Sequence, residues 1–138
     1  MTINRLISCV LLGLCGAIAG AAETPSPARA QLEDFLAAFN SGDRAKIEAF
    51  GRDHAPPNFV EASILDQTMQ MFATTGGLDL LEVEQSSPHA LRSRVRERRT
   101  GSVQRLVIEI DPATPDRIIV IQLTTTDSPP LVRGKEPD

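Results

Sequence analysis

The chain has 138 residues, a formal net charge of −4 and 41% hydrophobic residues, enough for one domain with a sizeable core. The acidic balance argues against nucleic acid or an anionic membrane surface as the main partner. Two cysteines, two histidines and no Tyr or Trp give a poor donor set for zinc and no phenolic group for an oxyanion.

Residues 1–21 have the three parts of a cleavable secretory signal peptide. Arg5 is the short basic region, Leu6 to Gly20 is an uncharged apolar run, and Ala19-Gly20-Ala21 is a small-residue site that predicts cleavage before Ala22. The run falls short of the ~20 residues that a membrane-spanning helix needs. With no twin arginine, the general secretory route is expected, and a periplasmic or extracellular location with it. Cys9 and Cys15 leave with the signal, so the mature chain is expected to have no disulfide, thiol nucleophile or cysteine-bound metal. Losing Arg5 also makes the chain one unit more negative.

Residues 22–29 read as a flexible leader, residues 30–125 as a single domain and residues 126–138 as a proline-rich tail. The first helix is expected from about Ala28 to Phe39, with Leu32, Phe35, Leu36 and Phe39 on one face. Asn40-Ser41-Gly42 ends it, with Gly42 suited to a left-handed position, and Asp43 caps a second helix reaching about Asp53. Ile47 and Phe50 are its apolar face. Ala55-Pro56-Pro57 makes a rigid joint. Asn58, with Glu61 three residues on, predicts a capping box for a third helix carrying Val60, Ile64, Thr68, Met71 and Phe72 on one side. Thr74-Thr75-Gly76-Gly77 stops it.

After Gly77 the period falls to two. Leu81 and Val83 alternate with Glu82 and Glu84. Leu91, Ser93 and Val95 alternate with Arg92, Arg94, Arg96 and Arg98. Leu106, Ile108 and Ile110 alternate with Arg105, Val107 and Glu109, and Ile118 to Leu123 is nearly continuous apolar strand. Short connections predict an antiparallel meander. The expected fold class is therefore α+β, with about three N-terminal helices packed on one face of a four-stranded antiparallel sheet.

Candidate chemistry is sparse. Arg92, Arg94, Arg96 and Arg98, followed by Arg99, form a basic strip that could hold an anion. They are equally the solvent face of a strand, set against Glu82, Glu84 and Glu109 on its neighbours. No aromatic residue interleaves them as single-stranded nucleic acid would need. Asp53, His54 and Glu61 bring a histidine near carboxylates, the minimum for acid–base work, yet a histidine in a helix's last turn also suits the helix dipole. His89 falls in a turn. No Ser-x-x-Lys, Gly-x-Ser-x-Gly or phosphate-binding loop occurs, so no catalytic residue, cofactor or metal site is assigned.

As a set, the stretches Leu32 to Phe39, Asn40-Ser41-Gly42-Asp43, Thr75-Gly76-Gly77-Leu78, Val83-Glu84, Val95-Arg96-Glu97-Arg98, Leu106-Val107-Ile108-Glu109 and Pro115-Asp116-Arg117-Ile118 resemble a known module. It is the nuclear-transport-factor-2-like (cystatin-like, SnoaL-like) module that precedes the catalytic domain in secreted bacterial serine hydrolases related to class C β-lactamases. The resemblance covers about residues 28–125 and implies a curved sheet wrapping helices, a cystatin-like roll. The relatives' catalytic serine and lysine belong to a downstream domain, so the resemblance carries no catalytic residue here.

Three functions follow as expectations. The first is an exported, non-catalytic accessory or interaction domain, with a protein partner or self-association through the apolar Ile118 to Leu123 strand. The second is a small-ligand or enzymatic cavity of the SnoaL-like type, with Asp53, His54 and Glu61 as polar groups and Phe35, Phe59 and Met71 as lining. The third is the N-terminal part of a secreted serine hydrolase.

Overall fold

The structure, a computed structural model, describes residues 25–126. The expected signal peptide, with Cys9 and Cys15, and nearly all of the expected tail lie outside the described residues. Helix α1 spans Pro27–Asn40, α2 spans Arg44–His54, a 3-10 turn covers Pro57–Val60, and α3 spans Ala62–Thr75. Strands β1 (Leu78–Ser86), β2 (Ala90–Glu97), β3 (Val103–Ile110) and β4 (Ile118–Thr125) follow. They form one antiparallel sheet in the order β1-β2-β3-β4. This is the α+β meander that the change of hydrophobic period predicts.

Helix α1 begins inside the stretch read as a leader. Ser26 caps it, its Oγ accepting from the Arg29 N–H at 3.2 Å, and Pro27 supplies a first-turn residue with no N–H to satisfy. Ala28, Leu32, Phe35, Leu36 and Phe39 form the buried face and meet Leu78, Leu91, Val95, Leu106, Ile108, Ile110 and Ile118 from the sheet. Each large side chain buried there contributes about 1.5–3 kcal/mol. All five phenylalanines of the chain join into one string, Phe72–Phe39–Phe35–Phe50–Phe59, with ring centroids 5.8–6.2 Å apart.

The α1–α2 corner matches its reading. Gly42 has φ +64°, and a Cβ there would lie 2.5 Å from the Phe72 ring. The Asp43 carboxylate accepts from the Ala45 N–H at 2.9 Å. The start of α3 departs from its reading. Asn58 lies in the 3-10 turn, and α3 begins after Glu61 with no side-chain cap. Pro57 fixes the turn before Asn58 can act as a cap, so the expected capping box does not form.

Strand β1 also departs. Its pairing with β2 slips between Leu80 and Glu82 and again between Val83 and Gln85, so Leu81 and Glu84 are extra residues. Each slip reverses the phase of the strand. Leu78, Leu80 and Val83 therefore face the core, and Leu81, expected inward, is 40% exposed.

Candidate functional site

An apolar cleft of about 440 Å³ lies where α3 and the 3-10 turn stand against β3 and β4. Phe35, Phe59, Ile64, Met71, Leu106, Ile121 and Leu123 make its walls apolar; its polar side chains are Asn58, Gln67 and Thr68. Thr68 is already engaged, its hydroxyl donating to the Ile64 carbonyl at 2.8 Å. Among the described residues, no Asp, Glu, His, Lys or Arg lines this cleft.

The expected lining by Phe35, Phe59 and Met71 is found, but the expected polar groups lie elsewhere. Asp53 and Glu61 are exposed, and neither they nor His54 lines the cleft. The His54 ring packs on Phe50 with centroids 5.4 Å apart, and its Nδ1 lies 3.2 Å from the Asp116 carbonyl oxygen. Gln31 reaches the same carbonyl at 3.4 Å, and Arg117 donates to the Ala55 carbonyl at 3.3 Å. These contacts tie α1 and the end of α2 to the β3–β4 turn. His54 thus holds two elements together, away from the cleft, because the last turn of α2 faces that connection.

Two arginines of the basic strip, Arg94 and Arg98, form internal ion pairs on the outer face of the sheet. Arg94 donates to Glu82 at 2.8 Å, and Arg98 to Asp79 at 2.8 Å. Glu109, expected opposite an arginine, instead pairs in register with Ala90, while Arg94 stands opposite Arg105. The two cations are kept apart by separate carboxylates, since Arg105 donates to Glu84 at 2.9 Å. That hydrogen bond holds the Glu84 carboxyl below its ordinary range; slight desolvation opposes it, and the charges of Arg105, Arg94 and Arg92 reinforce it. Arg96 is exposed, and the Arg92 Nε is buried without a hydrogen-bond partner.

A second, more polar recess continues from the cleft and shares Gln67, Met71 and Leu123 with it. Gln70, Thr74, Thr75, Gln104 and Glu97 complete it. Glu97 is 7% exposed, the one acidic side chain in the core of the described residues. Its carboxylate accepts hydrogen bonds from the Thr100 hydroxyl and the Gln104 amide.

Comparison with protein-family models, curated proteins and solved structures finds no match to this chain. The site must therefore be read from its own chemistry. Among the described residues, no three His, Cys, Asp or Glu side chains cluster as metal ligands would, and no helix is long and apolar enough to cross a membrane.

Two signals for these recesses were present in the sequence. Thr68 interrupts the apolar stripe of the third helix, marking a polar group turned inward. Glu97 continues the phase of Leu91, Ser93 and Val95, which places it on the core side of β2.

Proposed function

We propose that this chain is an exported, non-catalytic binding domain whose cleft between α3 and β4 takes a small, mainly apolar ligand. The observation carrying this reading is the cleft's chemistry: an apolar wall with Asn58, Gln67 and Thr68 as its polar side chains. Such groups orient a ligand by hydrogen bonds, and the volume lies within the range of small-molecule sites. The proposal retains the nuclear-transport-factor-2-like reading of residues 28–125, which is supported by three helices packed on a four-stranded antiparallel sheet. The apolar run at 6–20 supports export.

The test is a titration with N-phenyl-1-naphthylamine, a neutral apolar fluorophore. Saturable binding is expected, and Ile64→Lys, which puts a charge on the cleft wall, should weaken it at least tenfold without unfolding the protein. Ligand at 100 times Kd should stabilise the fold by about 2.7 kcal/mol. Absence of saturation, or indifference to Ile64→Lys, would sink the reading.

A second reading, self-association, rests on the contrast between the two sheet edges. Edge strand β1 carries Asp79, Glu82 and Glu84 and two bulges, devices that discourage pairing with another strand. Edge strand β4, Ile118–Thr125, has no charge and no proline, and Ile119 is 52% exposed. The Ile110 N–H bonds to the His89 carbonyl on the β2 side. By antiparallel alternation, Val120, Gln122 and Thr124 then bond to β3, and the main-chain groups of Ile121 and Leu123 face away from it. Pairing β4 with β4 of a second copy sets uncharged residues opposite one another. Sedimentation velocity should find a dimer that Ile119→Lys converts to a monomer with unchanged thermal stability. A wild-type protein that stays monomeric at ~100 µM, within the micromolar-to-millimolar range where exposed strand edges associate, would dismiss the pairing.

A further inference from the structure

Strand alternation sets one carboxylate, Glu97, apart on the inner side of the sheet. Asp79, Glu82 and Glu84 lie on the outer side of the sheet, each with its own arginine. Glu97 stands on the inner side, opposite Leu78, while its neighbours Arg96 and Arg98 project to the other side and are exposed. No ion pair among the described residues includes Glu97, and its two hydrogen-bond donors, Thr100 and Gln104, are neutral. Removing a carboxylate from water is costly unless a cation or a full set of donors replaces the water. A carboxylate has about four acceptor positions, and here two donors occupy the two oxygens, leaving capacity on each.

Glu97 is also placed to receive something from outside. It lines the polar recess that runs on from the apolar cleft, and Gln67, Met71 and Leu123 belong to both. The recess holds further uncharged polar side chains, Gln70, Thr74 and Gln104, and no cation among the described residues. An apolar body lying in the cleft would bring a group at its end to the Glu97 carboxylate.

We propose that Glu97 is the head-group site of the cleft and that the ligand is a cationic amphiphile, an apolar chain or ring system ending in an ammonium group. The ammonium supplies the positive charge that strand geometry denies Glu97 and donates to its open acceptor positions, with Gln104 and Thr100 orienting the carboxylate. This inference rests on the cleft being a ligand site and adds the chemical class of the ligand.

The experiment compares n-decylammonium, 1-decanol and decanoate, below their aggregation concentrations, by calorimetric titration of wild type and Glu97→Gln. Glutamine keeps an acceptor for the Thr100 hydroxyl and removes the charge. In wild type the ammonium should bind at least tenfold more tightly than the alcohol, and decanoate most weakly. In Glu97→Gln the ammonium's advantage should vanish while decanol affinity stays within twofold. The protein is acidic overall, so the wild-type preference is also measured in 0.5 M NaCl. A buried contact survives that salt, whereas general surface attraction is screened away. That measurement stands even if the variant fails to fold. Equal binding of all three ligands, a preference erased by salt, or a preference that survives Glu97→Gln would overturn the head-group assignment and leave the cleft standing. Failure of all three ligands to bind would overturn the cleft reading with it.

Discussion

Replacing Asn40 by Ala lowers the unfolding free energy by about 2–4 kcal/mol, because the change strips two main-chain groups of their partners at once. The Asn40 Nδ2 donates to the Leu78 carbonyl at 2.8 Å, and its Oδ1 accepts from the Leu78 N–H at 2.7 Å. One amide thus does for the first residue of β1 what a neighbouring strand does elsewhere. Leu78 is only 1% exposed, so water is poorly placed to take over both bonds. Gly77 makes room for this contact: with φ +108°, it lacks the Cβ that would lie 2.9 Å from the Asn40 Oδ1. Asn40→Asp keeps the acceptor but turns a charge toward the Leu78 carbonyl, and it should cost a similar amount. The measurement is urea unfolding followed by far-UV circular dichroism. A loss below ~0.5 kcal/mol, the scale of a neutral surface substitution, would mean that the amide is dispensable.

Phe39→Ala should cost about 3–5 kcal/mol, the usual range for emptying a buried aromatic site. Phe39 is 1% exposed and is the second ring of the phenylalanine string, stacked on Phe35 and edge-on to Phe72 at 5.8 Å each. Its removal uncouples α1 from α3, and the two helices cannot close the gap freely. Phe72 is held beside Gly42 at the α1–α2 corner, and Phe35 packs against Phe50 of α2. Phe39→Leu preserves most of the volume and should lose less than half as much. The urea midpoints of both variants, read with the m-value unchanged, check the order. A loss of less than ~2 kcal/mol for Phe39→Ala, below the buried-aromatic range, would show that the helices collapse into the space.

Much of the architecture was legible because its signals are local. The 3.6-residue stripe Leu32, Phe35, Leu36, Phe39 named the buried face of α1, and the cap at Asp43 and the left-handed Gly42 named the α1–α2 corner. The fall to a two-residue period after Gly77 separated helices from sheet, and short connections implied the meander order. The cross-strand partner of Arg94 was legible in type, an acid on β1, because Glu82 shares its face. The Arg105–Glu84 pair was not, since it depends on an extra residue in β1.

Composition, periodicity and turn chemistry by themselves determined the class of the fold, the order of its elements and most of its core, since burial must follow the repeat of the backbone. Only the tertiary structure decided how the faces meet. It placed the bulges that turn Leu81 outward, the Asn40 bridge to Leu78, and His54 beside Asp116 instead of in the cleft. It also opened the space between α3 and β4 and left Glu97 on its margin. A cleft is the residue of imperfect packing between elements distant in the chain, and no local repeat encodes that distance. The charge balance of the sheet has the same origin. Arginines at alternate positions were plain to read, but that Glu97 and Glu109 would be left without one depended on the register of three strands.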